Sequence, residues 1–150
     1  MRVVIQRVLS ASVAVDGQTV SSIGRGMMIL VGIEVGDTPD DIRWVAEKTV
    51  KLRIFDDDQG VMNRSVMDVG GQILAVSQFT LMASTRKGNR PSYIRAARPE
   101  EGSALYDMYC AVLRHLTGDA VGHGIFGADM KVALVNDGPV TIIIDSRLRE

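Results

Sequence analysis

A Gly-Pro pair close to the C-terminal end of the sequence separates two segments that both have the character of strands. Met130–Val135 and Val140–Ile144 are short, apolar and rich in β-branched residues, which predicts strands. Between them lies Asn136-Asp137-Gly138-Pro139. Because Pro139 has no backbone N–H, strand pairing has to stop or bend there, and bonds before proline are also where cis peptides occur. Taken alone, the pair predicts an ordinary turn, so its meaning depends on the rest of the chain.

Strand patterns dominate the remaining sequence, and two helices are predicted between them. Asp16-Gly17 suits a type I′ hairpin turn, Thr38 before Pro39 predicts the first helix start, and Pro99 begins the second. The other predicted strands are Arg2–Val8, Ser12–Val15, Gln18–Ile23, Met27–Ile33, Leu52–Phe55 and Gln72–Leu81. We therefore expect one α+β domain over residues 1–150, with mainly antiparallel β-sheets curled around a core and two main helices.

Composition excludes several classes of protein. The net charge is −1, so any nucleic-acid site has to be local, and the single cysteine, Cys110, allows no internal disulfide. No apolar run is long enough to cross a bilayer, which favours a cytoplasmic protein without a membrane partner. His115 and His123 have no cysteine or histidine at metal-binding spacing, so no metal site is expected.

Polar residues end the apolar strand that begins at Gln72. Ser77, Gln78 and Thr80 fall at its C-terminal end, a common position for sites. Polar groups there must find hydrogen-bond partners. They either satisfy the local backbone or line a binding site, and the pattern alone does not decide between these interpretations.

A basic segment follows that strand. No Asp or Glu occurs from Val69 through Pro99, a stretch that contains several cations: Arg86, Lys87, Arg90, Arg95 and Arg98. Interleaved Gly, Asn and Ser suit a loop that contacts phosphates. The alternative is a solvated loop whose arginines pair with carboxylates elsewhere in the fold.

Two motifs in this chain resemble the signature motifs of the D-aminoacyl-tRNA deacylases. They are Ser77-Gln78-Phe79-Thr80 and Asn136-Asp137-Gly138-Pro139-Val140-Thr141, and the resemblance extends from Met1 to Ser146. Phe126-Gly127-Ala128-Asp129-Met130 also matches the usual pattern of the family. His123 and Ile125 depart from it, since many members have threonine and a polar residue at these positions.

The resemblance implies an esterase that hydrolyses D-aminoacyl-tRNA, and also mischarged glycyl-tRNA, to the free amino acid and tRNA. It implies a homodimer whose active sites lie at the subunit interface, with no cofactor. The Gly138-Pro139 bond would be cis, and the pair would enter the partner's pocket and exclude an L side chain by a clash. Arg7 would orient this loop. Three further residues would contribute to substrate binding: Asn136, Phe126 and Met130.

The family pattern makes Ser77, Gln78, Phe79 and Thr80 the expected catalytic residues. Thr80 has no base beside it in the sequence, and an isolated hydroxyl is a weak nucleophile. The resemblance instead implies help from the 2′-hydroxyl of the terminal ribose of the tRNA, with backbone groups near Phe79 and Thr80 polarising the ester carbonyl. Ser77 and Gln78 would then shape and orient the pocket.

Two other functions remain open from the sequence. One is a non-catalytic RNA-binding module that uses the expected tRNA-binding residues Arg86, Lys87 and Arg90. The other is a small-molecule esterase with Thr80 as nucleophile, which would form an acyl-enzyme.

Overall fold

The computed structural model describes residues 1–149, which form eight strands, two α-helices and one short 3₁₀ helix. The helices are α1 (Pro39–Lys51) and α2 (Pro99–Thr117), and the 3₁₀ helix is Phe79–Met82. The strands are β1 (Arg2–Val15), β2 (Gln18–Ile23), β3 (Gly26–Gly32), β4 (Phe55–Asp56), β5 (Met62–Arg64), β6 (Gln72–Ser77), β7 (Val121–His123) and β8 (Met130–Asp145). Within residues 1–149, no helix combines the length and the apolar composition that crossing a membrane requires.

The main sheet is built on β1. Its first half pairs antiparallel with β3 and its second half with β2, while β8 pairs antiparallel with both halves. β6 extends the sheet parallel to β3, and β7 lies parallel to β6. Antiparallel pairings thus dominate a curled, mixed sheet accompanied by two helices, which confirms the expected α+β fold class.

Two apolar clusters cover the two faces of this sheet. The larger lies between the sheet and both helices, where Val3 and Ile5 of β1 meet residues such as Val45 and Tyr109. The smaller lies on the opposite face and contains Val8 and Val13 of the same strand. β1 therefore changes the face that it buries between residues 5 and 8, as a curled sheet requires.

The Gly-Pro pair does not separate two strands, so that prediction was wrong. β8 is continuous, but its pairing with β1 jumps from Gln6–Thr141 to Val8–Asn136. Residues 137–140 therefore bulge out opposite the single residue Arg7, because β1 pairs on both sides of the interruption. We call residues 137–140 the β8 bulge. Such bulges bend the strand and increase its local twist.

Other predicted strand limits also differ from the structure. Arg2–Val8 and Ser12–Val15 belong to one strand, β1, and the strand predicted over Leu52–Phe55 is only Phe55–Asp56, because Leu52 is the C-cap of α1. The strand predicted over Gln72–Leu81 ends at Ser77.

The local turn and helix signals are confirmed. Asp16 and Gly17 have φ of 50° and 77°, both positive as a type I′ turn requires. Thr38 is extended and caps α1, which begins at Pro39. The Asp41 N–H donates to the Thr38 hydroxyl over 3.3 Å, and the Thr38 N–H donates to the Asp41 carboxylate over 2.9 Å, forming a capping box.

We predict that Thr38→Ala lowers the free energy of unfolding by about 1 kcal/mol at neutral pH, because the first turn of α1 loses its cap. Partial burial raises the pKa of Asp41, but hydrogen bonds from Thr38 outweigh this and hold the pKa below its ordinary 3.8. The deficit should therefore shrink as the pH falls below that value, because protonation weakens the cap in the wild type. Urea titrations of both proteins measure this, with Thr85→Ala in an exposed loop as control; equal stabilities at neutral pH would contradict the prediction.

Candidate active site

A cavity of about 260 Å³ opens where β6 ends, and it gathers residues from distant parts of the chain. Ser77, Gln78 and Phe79 line one side, and the segment 126–130 lines another, including Phe126 and Met130. The structure thus brings together five of the candidate site residues, Ser77, Gln78, Phe79, Phe126 and Met130, whereas Thr80 does not line the cavity. Asn136, Gly138 and Pro139 do not line the cavity of their own chain.

The cavity wall is mostly apolar and is supported by α2. The Tyr106 hydroxyl donates to the Ala75 carbonyl over 3.0 Å, and the Tyr106 and Phe126 rings pack with centroids 6.0 Å apart. Burial raises the pKa of Tyr106, so the phenol stays protonated and serves as a donor. Gly102 completes this wall, and a Cβ built there would lie 3.4 Å from the Phe126 ring. Phe126 was singled out by its motif, but neither Gly102 nor Tyr106 was predicted from the sequence to belong to this wall.

The polar end of β6 is fixed by the neighbouring strand. The Gln78 N–H donates to the Val31 carbonyl over 2.7 Å, and the chain then enters the 3₁₀ helix. Phe79 is 57% exposed and packs edge-to-face on Tyr93 with ring centroids 5.0 Å apart. Ser77 and Gln78 are half-buried and line the cavity. This strand end therefore faces the open space and does more than form hydrogen bonds with the local backbone.

Thr80 is bonded to an amide and not to a base. It is half-buried on the 3₁₀ helix, and its hydroxyl lies 2.5 Å from the Gln78 side-chain nitrogen. An amide cannot accept the hydroxyl proton as a general base in either of its orientations. Asp129 at the cavity rim is exposed and pairs with Lys131 at 2.7 Å. Within residues 1–149, no group of three His, Cys, Asp or Glu side chains is arranged to hold a metal ion.

The β8 bulge presents Gly138 and Pro139 to solvent, and the bond between them is cis. The Asn136 side chain connects the two ends of the bulge. Its amide oxygen accepts the Val140 N–H over 3.2 Å, and its amide nitrogen donates to the Thr141 hydroxyl over 3.2 Å. Asn136 therefore shapes the bulge within its own chain.

Arg7 connects the β8 bulge to the segment after α1. Its side chain is buried, with Nη1 donating to the Ile54 carbonyl over 2.6 Å and Nε donating to the Asp137 carbonyl over 3.2 Å. The Asp137 carboxylate also lies 3.2 Å from Nε, and Asp56 lies 3.5 Å from Nη1. One guanidinium thus fixes the direction of a main-chain carbonyl at the start of the bulge.

The basic segment forms an exposed loop closed by paired backbone bonds between Ser84 and Ser92, each 2.9 Å long. Arg95 pairs with the buried Glu34 at 2.7 Å. This arginine therefore binds a carboxylate elsewhere in the fold, as the alternative interpretation of the segment expects. Arg86, Lys87 and Arg90 are exposed and take part in none of the ion pairs found within residues 1–149. These three side chains are free to meet an anionic partner.

The two departures from the family pattern precede the cavity segment 126–130 along the chain and do not line the cavity themselves. His123 Nδ1 is 2.9 Å from the Gly124 carbonyl, and because a carbonyl oxygen can only accept, this nitrogen donates the hydrogen bond. Ile125 precedes the cavity residue Phe126 and is 48% exposed.

Comparisons with known proteins agree with this geometry. The sequence model described as D-Tyr-tRNA(Tyr) deacylase matches residues 4–145. The chain belongs to this deacylase family. A relative from Bacteroides thetaiotaomicron is 59% identical over the whole of both chains, and one from Chromobacterium violaceum is 60% identical over 98% of each. Both are named D-aminoacyl-tRNA deacylase.

Two solved structures share the deacylase fold seen here. One, named c-Myc DNA Unwinding Element Binding Protein, has a TM-score of 0.93 and 41% identity, covering 97% of this chain and 98% of its own. The other, described as a probable eukaryotic D-amino acid tRNA deacylase, has a TM-score of 0.82 at 21% identity, covering 95% and 97%. The second comparison supports the fold alone.

Gly138→Ala is predicted to destabilise this deacylase by about 1–3 kcal/mol. Gly138 has φ of +120°, and a Cβ built there would lie 2.9 Å from Val140 Cγ2 and 3.1 Å from Arg7 Nη2. Gly17→Ala is the matched control, since Gly17 also has positive φ but no neighbouring atom within 4 Å of such a Cβ. Urea unfolding followed by the fluorescence of Trp44 measures both variants. Equal losses would mean that crowding against Arg7 and Val140 contributes nothing.

Proposed function

We propose that this chain hydrolyses the ester bond of D-aminoacyl-tRNA and releases the free D-amino acid and tRNA. The observation that carries the proposal is membership of the deacylase family over residues 4–145, with Ser77, Gln78 and Phe79 lining one cavity. Relatives about 60% identical bear the name of this activity. The substrate would place its aminoacyl group in the cavity and its RNA on the protein surface outside.

The cavity suits an aminoacyl group in both size and character. Its volume is about 260 Å³, and its walls include Val31, Val76, Phe126 and Met130. These side chains would contact an amino acid through apolar surface, and the one carboxylate of the lining, Asp129, is paired with Lys131. Because no residue of this wall requires the substrate amino acid to have a side chain, glycyl-tRNA would also be accepted.

Catalysis would depend on backbone donors and on the substrate itself. Thr80 contacts only an amide in its side-chain hydrogen bond, which supports a reaction without a threonine nucleophile. Backbone N–H groups near Phe79 and Thr80 would polarise the ester carbonyl, as in an oxyanion hole. The 2′-hydroxyl of the terminal ribose would help to activate the attacking water. Ser77 and Gln78 would orient the substrate.

Selection between enantiomers would come from Gly138 and Pro139 of a second copy. They are exposed on the β8 bulge and do not line the cavity of their own chain, so a homodimer is the arrangement that brings them to a substrate. Their carbonyls would face the substrate α-carbon and clash with an L side chain. Arg7, which holds the Asp137 carbonyl, would keep this loop in its selective orientation. Asn136 would contribute by closing the bulge.

The test is to incubate the protein with matched D- and L-aminoacyl-tRNA and to follow the loss of the ester. We expect the D-ester and glycyl-tRNA to be hydrolysed and the L-ester to be spared. Thr80→Ala should retain substantial D-specific activity, because the wild-type hydroxyl has no base. Loss of all activity in a folded Thr80→Ala protein that still binds tRNA would overturn the RNA-assisted mechanism.

The same assay separates the alternative functions. A small-molecule esterase would cleave aminoacyl esters that lack the RNA and would show an acyl-enzyme on Thr80 by mass spectrometry. An RNA-binding module would bind both aminoacyl-tRNAs and hydrolyse neither. Either result would refute the proposed function.

We predict that replacing Arg86, Lys87 and Arg90 by glutamine weakens tRNA binding and leaves the preference for the D-ester unchanged. Each lost phosphate contact should reduce the log–log salt slope of the binding constant by about one unit. Filter binding at several salt concentrations measures the slope. The matched control replaces Arg43, Lys48 and Lys51, three exposed cations of α1. A triple variant with the wild-type slope would show that the loop does not contact the RNA.

A further inference from the structure

The 3₁₀ helix Phe79–Met82 is too short to hold its position by itself and depends on contacts from the sheet. Its N-cap, Gln78, makes no side-chain capping bond, and the Gln78 N–H is instead bound by the Val31 carbonyl. The helix lies closely on Gly32, where a Cβ would be 2.9 Å from Leu81 Cβ. β3 therefore fixes the start and the underside of the helix, and the other end needs a separate contact.

Arg2 supplies that contact. Its Nη1 donates to the Leu81 carbonyl over 3.0 Å. Its other two nitrogens bind one oxygen of Asp145, Nε at 3.0 Å and Nη2 at 2.9 Å. Arg2 and Asp145 are directly opposite each other in the ladder between β1 and β8. The guanidinium is thus held by the last strand of the sheet and directed at the end of the 3₁₀ helix.

Asp145 is itself held in place from the other side. Its Oδ1 accepts the N–H groups of Arg147 at 2.9 Å and Leu148 at 3.3 Å, which leaves Oδ2 for Arg2. Burial raises the pKa of Asp145, but the bonds from Arg147 and Arg2 outweigh it and lower the pKa below its ordinary value. The carboxylate is therefore ionised at neutral pH, and the ion pair with Arg2 persists there.

We propose that Arg2 and Asp145 are positioning residues for the ester hydrolysis proposed above, on which this inference rests. Neither lines the cavity, so both act through the Leu81 carbonyl on the backbone of Phe79 and Thr80. Donors that stabilise a transition state must be held close to their productive positions, and an error of about 1 Å can reduce a rate about 100-fold. A charge-assisted bond to the carbonyl end of the helix provides this precision at a site without a side-chain base.

The test measures kcat and KM for D-aminoacyl-tRNA with the whole 150-residue chain. Arg2→Met keeps an unbranched side chain but removes the donors, and we expect kcat to fall by about 10- to 100-fold with little change in KM. Arg2→Lys keeps one donor and should recover part of kcat. Asp145→Asn should lower kcat in the same direction. Because both residues act through one bond, the double variant should be no slower than Arg2→Met alone.

Arg43→Met is the matched control, because Arg43 also pairs with an aspartate, Asp40, but on the exposed face of α1. It should leave kcat and KM unchanged. Amide hydrogen exchange provides a readout independent of activity. The Ala83 N–H donates to the Thr80 carbonyl over 3.0 Å, and its exchange should accelerate in Arg2→Met but not in Arg43→Met.

The outcomes separate this inference from the proposed function. If the wild type hydrolyses D-aminoacyl-tRNA and a folded Arg2→Met protein keeps its kcat, or changes only KM, the positioning role is refuted and the proposed function stands. Unchanged exchange at Ala83 would refute it equally. An inactive wild type would refute the proposed function and with it the catalytic part of this inference, whatever the exchange data show.

Discussion

The buried guanidinium of Arg7 is the contact on which the shape of the sheet depends. Across from it, β8 contains the extra residues 137–140, and the Asp137 carbonyl would be without a fixed direction if Arg7 did not bind it. The same guanidinium reaches the Ile54 carbonyl beyond α1, so the bulge, β1 and the segment after the helix are joined at one point. Because this charged donor satisfies the buried Ile54 carbonyl and the partly buried Asp137 carbonyl together, replacing it leaves both oxygens without that partner. The bulge is therefore a supported feature of the sheet and not a loose turn.

The geometry separates the two parts of the proposed site. The cavity lies at the end of β6 under α2, whereas Gly138 and Pro139 project from β8 at the edge of the sheet. In the proposed homodimer each copy would give its bulge to the cavity of the other, so two-fold symmetry would produce two equivalent sites. A Gly138-Pro139 pair that belongs to another chain can be rigid without interfering with the folding of the cavity wall. Under this proposal, dissociation of the dimer would remove selectivity and leave the cavity formed.

Local chemistry explains which features could be predicted from the sequence. Thr38 before a proline specifies a helix start through its own side chain, and that prediction was correct. Strand limits were wrong where distant contacts decide them: the chain leaves the sheet after Ser77 because the following turn packs on Gly32 of β3. The polar strand end was recognisable as a candidate site, but its partners Gly102 and Tyr106 were not. Their role depends on how α2 packs over β6, which no local pattern encodes.

The cavity offers binding surface but few groups that move protons, and this restricts how the proposed hydrolysis can proceed. The Gln78 amide bonded to Thr80 cannot serve as a base, and the Asp129 carboxylate at the rim is paired with Lys131 in solvent. Under the proposed mechanism, backbone N–H groups, whose directions are fixed by the fold, would stabilise the transition state, and the RNA would activate the water. A site built in this way would have little reactivity toward esters without a terminal ribose. Dependence on the ribose would thus confine the enzyme to aminoacylated RNA before any contact with the rest of the tRNA is considered.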